Sequence, residues 1–87
     1  MYVIMAYDVN EKRVNKVLKK SREYLTWIQN SLLEGEITES KFKILKNKIE
    51  NIIEFQEDSV RWYIFESEKL LKKESIGIDK GGNDMIL

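Results

Sequence analysis

The chain has 87 residues, 15 Lys+Arg against 15 Asp+Glu, and no His, Cys or Pro. Without Cys or His there is no disulfide, thiol nucleophile, imidazole base, Ser-His-Asp triad or His/Cys zinc site. Any metal must be a hard cation such as Mg²⁺, Mn²⁺ or Ca²⁺ on oxygen ligands, and any general base must be Asp, Glu, Lys or Tyr.

Tyr2 to Tyr7 is a short apolar run with β-branched and aromatic residues, stopped by Asp8, and it reads as a strand. Val3, Met5 and Tyr7 point to one face and Tyr2, Ile4 and Ala6 to the other, so both faces need cover. Asp8-Val9-Asn10 ends the strand and offers helix-capping side chains. From Glu11 to about Glu23 the spacing is helical, with Val14, Val17, Leu18 and Ser21 on one face. Its remaining positions are basic: Lys12, Arg13, Lys16, Lys19, Lys20 and Arg22.

Residues 24–37 hold two strand candidates, Leu25-Thr26-Trp27-Ile28 and Ser31-Leu32-Leu33-Glu34, with Gly35 read as a bend or bulge. Thr38 caps a second helix whose stripe is Phe42, Leu45, Ile49, Ile52 and Ile53. Asp58-Ser59 reads as a turn and Val60 to Phe65 as a strand. Glu66 to Lys73 could form a short helical turn around Leu70-Leu71, and Ser75 to Ile78 a short terminal strand. The order is that of an α+β, ferredoxin-like βαββαβ domain over residues 1–78, with an added C-terminal strand and a flexible tail over 79–87 ending in Met85-Ile86-Leu87. Surface scaling gives a buried fraction of only ~64% for a chain of this size, so a homodimer packed through the sheets is expected.

Asp8 is the candidate chemical residue, because a carboxylate at the C-terminal end of a strand sits on a sheet rim where ligands and metals bind. The plainer reading is a helix cap or turn residue. The Lys/Arg run suggests phosphate contacts; the plainer reading is a solvated helix face, which the zero net charge favours. Trp27, Trp62, Tyr63 and Phe65 could stack on bases, but strand aromatics are more often core or interface. No stretch is long and apolar enough for a membrane helix, the start lacks a basic region before its apolar run, and a cytoplasmic location is expected.

Several segments resemble one family. Met1 to Val9, an apolar strand ending in Tyr-Asp-Val, is similar to the start of the CRISPR-associated protein 2 family. Arg13-Val14 with Val17 to Lys20 is similar to its first helix. Gln29 to Thr38, Asp58 to Tyr63 and Ile76-Gly77 resemble further family segments in the same order. The resemblance implies a ferredoxin-like homodimer acting as a metal-dependent endonuclease on RNA or DNA. It further implies a bridge between dimers of CRISPR-associated protein 1, holding duplex DNA during spacer acquisition. By the same resemblance, Asp8 is the metal-binding and catalytic aspartate, paired with its copy across the dyad on a shared Mg²⁺ (or Mn²⁺). Arg13, with Lys12, Lys16, Lys19 and Lys20, implies nucleic-acid contacts, and Ser31 implies substrate positioning. The chain departs from nuclease-competent relatives at Trp27, where they often carry Arg, and at Leu33, where they often carry Phe. The fold alone also allows a regulatory or small-molecule module without nucleic-acid activity.

Overall fold

Strand β1, Tyr2–Asp8, lies inside a four-stranded antiparallel sheet, and the sequence around it explains why. The computed structural model describes residues 1–78, so the expectation of a flexible tail over 79–87 lies outside the described residues. Helix α1 spans Glu11–Ser21, β2 Thr26–Gln29, β3 Leu32–Glu36, α2 Glu39–Ile52 and β4 Ser59–Phe65. The strand order is β2-β3-β1-β4, so each helix links two strands that are not neighbours. This is the βαββαβ arrangement expected from the sequence.

Each helix begins on a side-chain cap. Asn10 Oδ1 accepts the Lys12 N–H at 2.9 Å, and Thr38 Oγ1 accepts the Lys41 N–H at 3.2 Å. The stripes then dock on one sheet face. Val17 and Ser21 of α1 and Phe42, Leu45 and Ile49 of α2 are buried against Val3, Met5 and Tyr7. Ser21 has no exposed surface and donates its hydroxyl to the Val17 carbonyl at 2.7 Å, so burial leaves no polar atom unmatched. Trp62 meets the Phe42 ring edge-on at 5.1 Å.

Gly35 is neither a bend nor a bulge. It pairs with Val3 inside β3, and a Cβ there would stand 3.4 Å from Leu25 Cδ2, at the near limit of contact. The irregularity lies instead in β2, between Trp27 and Gln29, beside Asn30 at φ 41°. Asp58-Ser59 is not the turn either: the turn is residues 55–57, Asp58 is buried, and Ser59 opens β4.

The second sheet face carries Tyr2, Ile4, Ala6 and Asp8, flanked in register by Phe65, Tyr63, Arg61 and Ser59 of β4. No helix covers it. A short 3-10 turn, Glu68–Leu70, follows β4. Residues 71–78 then border a cleft of about 700 Å³ whose floor includes Ile4, Ile28 and Leu32. Lys73 pins this segment, with Nζ 2.9 Å from Glu34, 3.2 Å from Glu68 and 3.4 Å from the Tyr2 hydroxyl. Ser75 to Ile78 forms no strand within the chain, and Ile76 is 97% exposed. A strand exists only through a partner's backbone hydrogen bonds, and this segment pairs with neither sheet edge, β2 or β4. No helix among the described residues is long and apolar enough to cross a membrane.

Candidate functional site

Asp8 is exposed at the last position of β1 and stands opposite Ser59 of β4. Tyr7 beside it donates its N–H to the Ser31 carbonyl at 3.1 Å, so Asp8 and Ser31 share one end of the sheet. Burial pushes the Tyr7 phenol up. The Asp8 carboxylate takes part in none of the ion pairs among the described residues.

Two residues after Asp8 the chain enters α1, and this corner is anchored by Asp58. The Asp58 side chain has no exposed surface. Its Oδ1 accepts the Asn10 N–H at 2.9 Å and Arg13 Nη2 at 3.1 Å. Its Oδ2 accepts Arg13 Nε at 2.6 Å and the Glu54 N–H at 2.8 Å. Arg13 Nη2 also reaches Glu57 Oε1 at 2.9 Å. The Arg13 guanidinium above all, then the Asn10 and Glu54 amides, hold the Asp58 carboxyl well below the usual carboxylate range against the opposing cost of burial. The same hydrogen bonds raise Arg13.

The basic residues therefore divide. Lys12, Lys16 and Lys19 are exposed on α1, and Lys20 is half-buried and paired with Glu23 at 3.2 Å. Lys12, Lys16 and Lys20 follow one another at i, i+4, with Lys19 beside them, in a row that starts close to Asp8. Arg13 stands apart, drawn inward on the line of Val17 and Ser21 and engaged by two carboxylates. Its spacing from those two apolar-face positions is a signal in the sequence for that inward position. Asp58 gives no comparable signal, because its partners are 4, 45 and 48 residues away. Trp27 and Leu33 pair in register, with Leu33 buried in the core and Trp27 packed against it. Among the strand aromatics Tyr63 is 46% exposed, on the helix-free face.

One chain offers a metal a single well-placed carboxylate, and no three acidic residues cluster among the described residues. This donor fits a hard cation of the Mg²⁺ type, which binds through one or two carboxylates while keeping waters and taking substrate phosphate oxygens. It does not make an all-protein cage.

A sequence model described as CRISPR associated protein Cas2 matches residues 1–73. A relative named CRISPR-associated endoribonuclease Cas2 from Dictyoglomus turgidum is 56% identical over 87 residues, covering all of both chains. One of the same name from Thermotoga maritima is 51% identical over 86 residues, covering 99% of each. A solved structure described as a crystal structure of Cas2 superposes with a TM-score of 0.85 at 41% identity, covering 100% of this chain and 98% of the other. Streptococcus pyogenes Cas2 gives 0.73 at 29% identity, covering 86% of this chain and all of the other. With the family sequence model spanning most of the chain and the fold matched, this chain belongs to the CRISPR-associated Cas2 family.

Proposed function

We propose that this protein works in CRISPR adaptation as a homodimer with metal-dependent endoribonuclease activity. The observation that carries the reading is Asp8: an exposed carboxylate at the end of a rigid central strand, outside every ion pair among the described residues, in a chain of this family. Two Asp8 carboxylates facing each other across a dyad repel, and a divalent cation between them relieves that repulsion. Bound there, Mg²⁺ or Mn²⁺ would polarise a phosphodiester and lower the pKa of a water. Lys12, Lys16 and Lys19 would neutralise backbone phosphates beside it. Ser31, at the same end of the sheet, would contact the substrate. The same dimer would bridge CRISPR-associated protein 1 and hold duplex DNA along its basic helices. The helix-free sheet face with Ile4, Ala6, Leu32 and Tyr63 supports dimerisation through the sheets.

The test is cleavage of a labelled single-stranded RNA by wild type and Asp8→Ala, with Mg²⁺ and with EDTA. Wild type should cleave only with the metal. The variant should lose on the order of 10²–10³-fold in rate, the usual cost of removing one electrostatic element of a site. Equal cleavage by the variant points to contamination and overturns the nuclease reading. Co-purification with CRISPR-associated protein 1 tests the adaptation role separately.

A further inference from the structure

Asp8 gains its position from the backbone on either side of it, and Asp58 touches both sides. On one side, the β1–β4 ladder ends where Asp8 pairs with Ser59, the residue that follows Asp58. On the other, Asn10, two residues beyond Asp8, donates its N–H to Asp58 Oδ1 at 2.9 Å. The second carboxylate oxygen holds the Glu54 N–H beyond the end of α2, at 2.8 Å, and Arg13 of α1, at 2.6 Å. One buried carboxylate thus ties together the end of β1, the first turn of α1 and the connection from α2 to β4. Only Val9 and Asn10 separate Asp8 from α1, so the corner has little slack.

We propose that Asp58 is a positioning residue for Asp8: with Arg13 as its counterion, it fixes the Asp8–Val9–Asn10 corner and so sets the direction in which the Asp8 carboxylate leaves the sheet. Its use in cleavage rests on the nuclease reading above; the anchoring of the corner does not. Arg13 contributes by completing this anchor. A carboxylate suits the position because both oxygens accept and none of the four donors is a water. An amide of the same shape turns one acceptor into a donor facing N–H groups, which breaks at least one of these bonds.

Three variants test the idea: Asp58→Asn, Asp8→Ala and, as a control, Leu45→Ala, which opens the core away from the corner. Asp58→Asn is used because it keeps side-chain volume, and circular dichroism establishes that it is folded at the assay temperature. The first readout is amide hydrogen exchange of the metal-free protein. In Asp58→Asn the Asn10 amide should exchange at least about tenfold faster relative to the Met5 and Leu45 amides. In Leu45→Ala, Asn10 should change only in step with the core. The second readout is RNA cleavage with Mg²⁺. Asp58→Asn should lower kcat about tenfold or more with KM within about twofold, since a displacement near 1 Å at a reacting group can cost up to about 10²-fold. Leu45→Ala, assayed at equal distance below its melting temperature, should retain kcat.

Unchanged Asn10 exchange in Asp58→Asn overturns the proposal. So does a loosened Asn10 with kcat equal to the control's while Asp8→Ala is inactive. If Asp8→Ala cleaves like wild type, the nuclease reading fails instead, and the exchange result alone decides whether Asp58 fixes the corner.

Discussion

Arg13 and Lys12 are adjacent in sequence, and the helix sends them to opposite fates. Lys12 is exposed, whereas the Arg13 side chain is only 18% exposed and lies against an Asp58 side chain with no exposure. A basic run read as one patch is therefore a row of lysines plus one structural arginine. Composition and spacing show the charges but not their partners, because an ion pair spanning 45 residues leaves no local pattern. The pair carries a pH prediction. Arg13 and Glu57 are the charged groups closest to the Asp58 carboxyl, which is depressed in the folded state mainly by Arg13. A depressed carboxyl stabilises the fold above its unfolded pKa, about 3.9, and that contribution fades as pH falls below it toward the folded value. Urea midpoints measured from pH 5 to pH 2 should fall more steeply for wild type than for Asp58→Asn. The difference should correspond to at most about one proton taken up on unfolding. Parallel curves would show that Asp58 ionisation is not linked to folding.

At the scale of elements, most of the architecture was legible. The two helical stripes and the long strands at either end of the chain follow from apolar periodicity, and Thr38 acts as the cap its position suggested. The failures share a physical cause: each depends on contacts distant in the chain. Gly35 reads locally as a bend, but its small size serves the close approach of Leu25. Asp58 reads as a turn residue, but its oxygens are held by three separate segments. Helix α1 itself supports a prediction. Its exposed lysine row should supply the salt-dependent part of nucleic-acid binding. Replacing Lys12, Lys16, Lys19 and Lys20 by Ala should not weaken the helix, since Ala is the better helix former and Lys12 lies in the first turn, where a positive charge opposes the dipole. The slope of log K against log salt for a single-stranded RNA should shrink by up to about 3, at ~0.7 per lost phosphate contact. Lys20 should contribute least, because Glu23 already engages it. An unchanged slope would move the nucleic-acid interface off α1.

At the scale of the whole molecule, the sheet has one face packed and one face without helices. The first strand is apolar on both sides, and only Val3, Met5 and Tyr7 find helices to cover them. On the other side the 71–78 segment, pinned by Lys73, borders part of the face near Ile4 and Leu32, while Tyr63 stays 46% exposed and Ile76 97% exposed. A chain this short buries a modest share of its surface alone, and a second copy is the simplest source of further burial and of backbone partners for the unpaired residues 75–78. The protein is therefore expected to sediment as a dimer at micromolar concentration. Tyr63 lies opposite Ile4 on the helix-free face, and its side chain is not part of the helix-covered core. Tyr63→Glu should leave the circular dichroism spectrum unchanged, because the position is half-exposed within one chain. The same change places two uncompensated carboxylates in a sheet-to-sheet interface, where each charge loses water without gaining a partner. Sedimentation should then show a monomer, and Mg²⁺-dependent cleavage should be lost with it if two Asp8 residues form one site. A monomeric variant that cleaves at the wild-type rate would instead place the complete site within one chain. A variant that stays dimeric would move the interface away from this face.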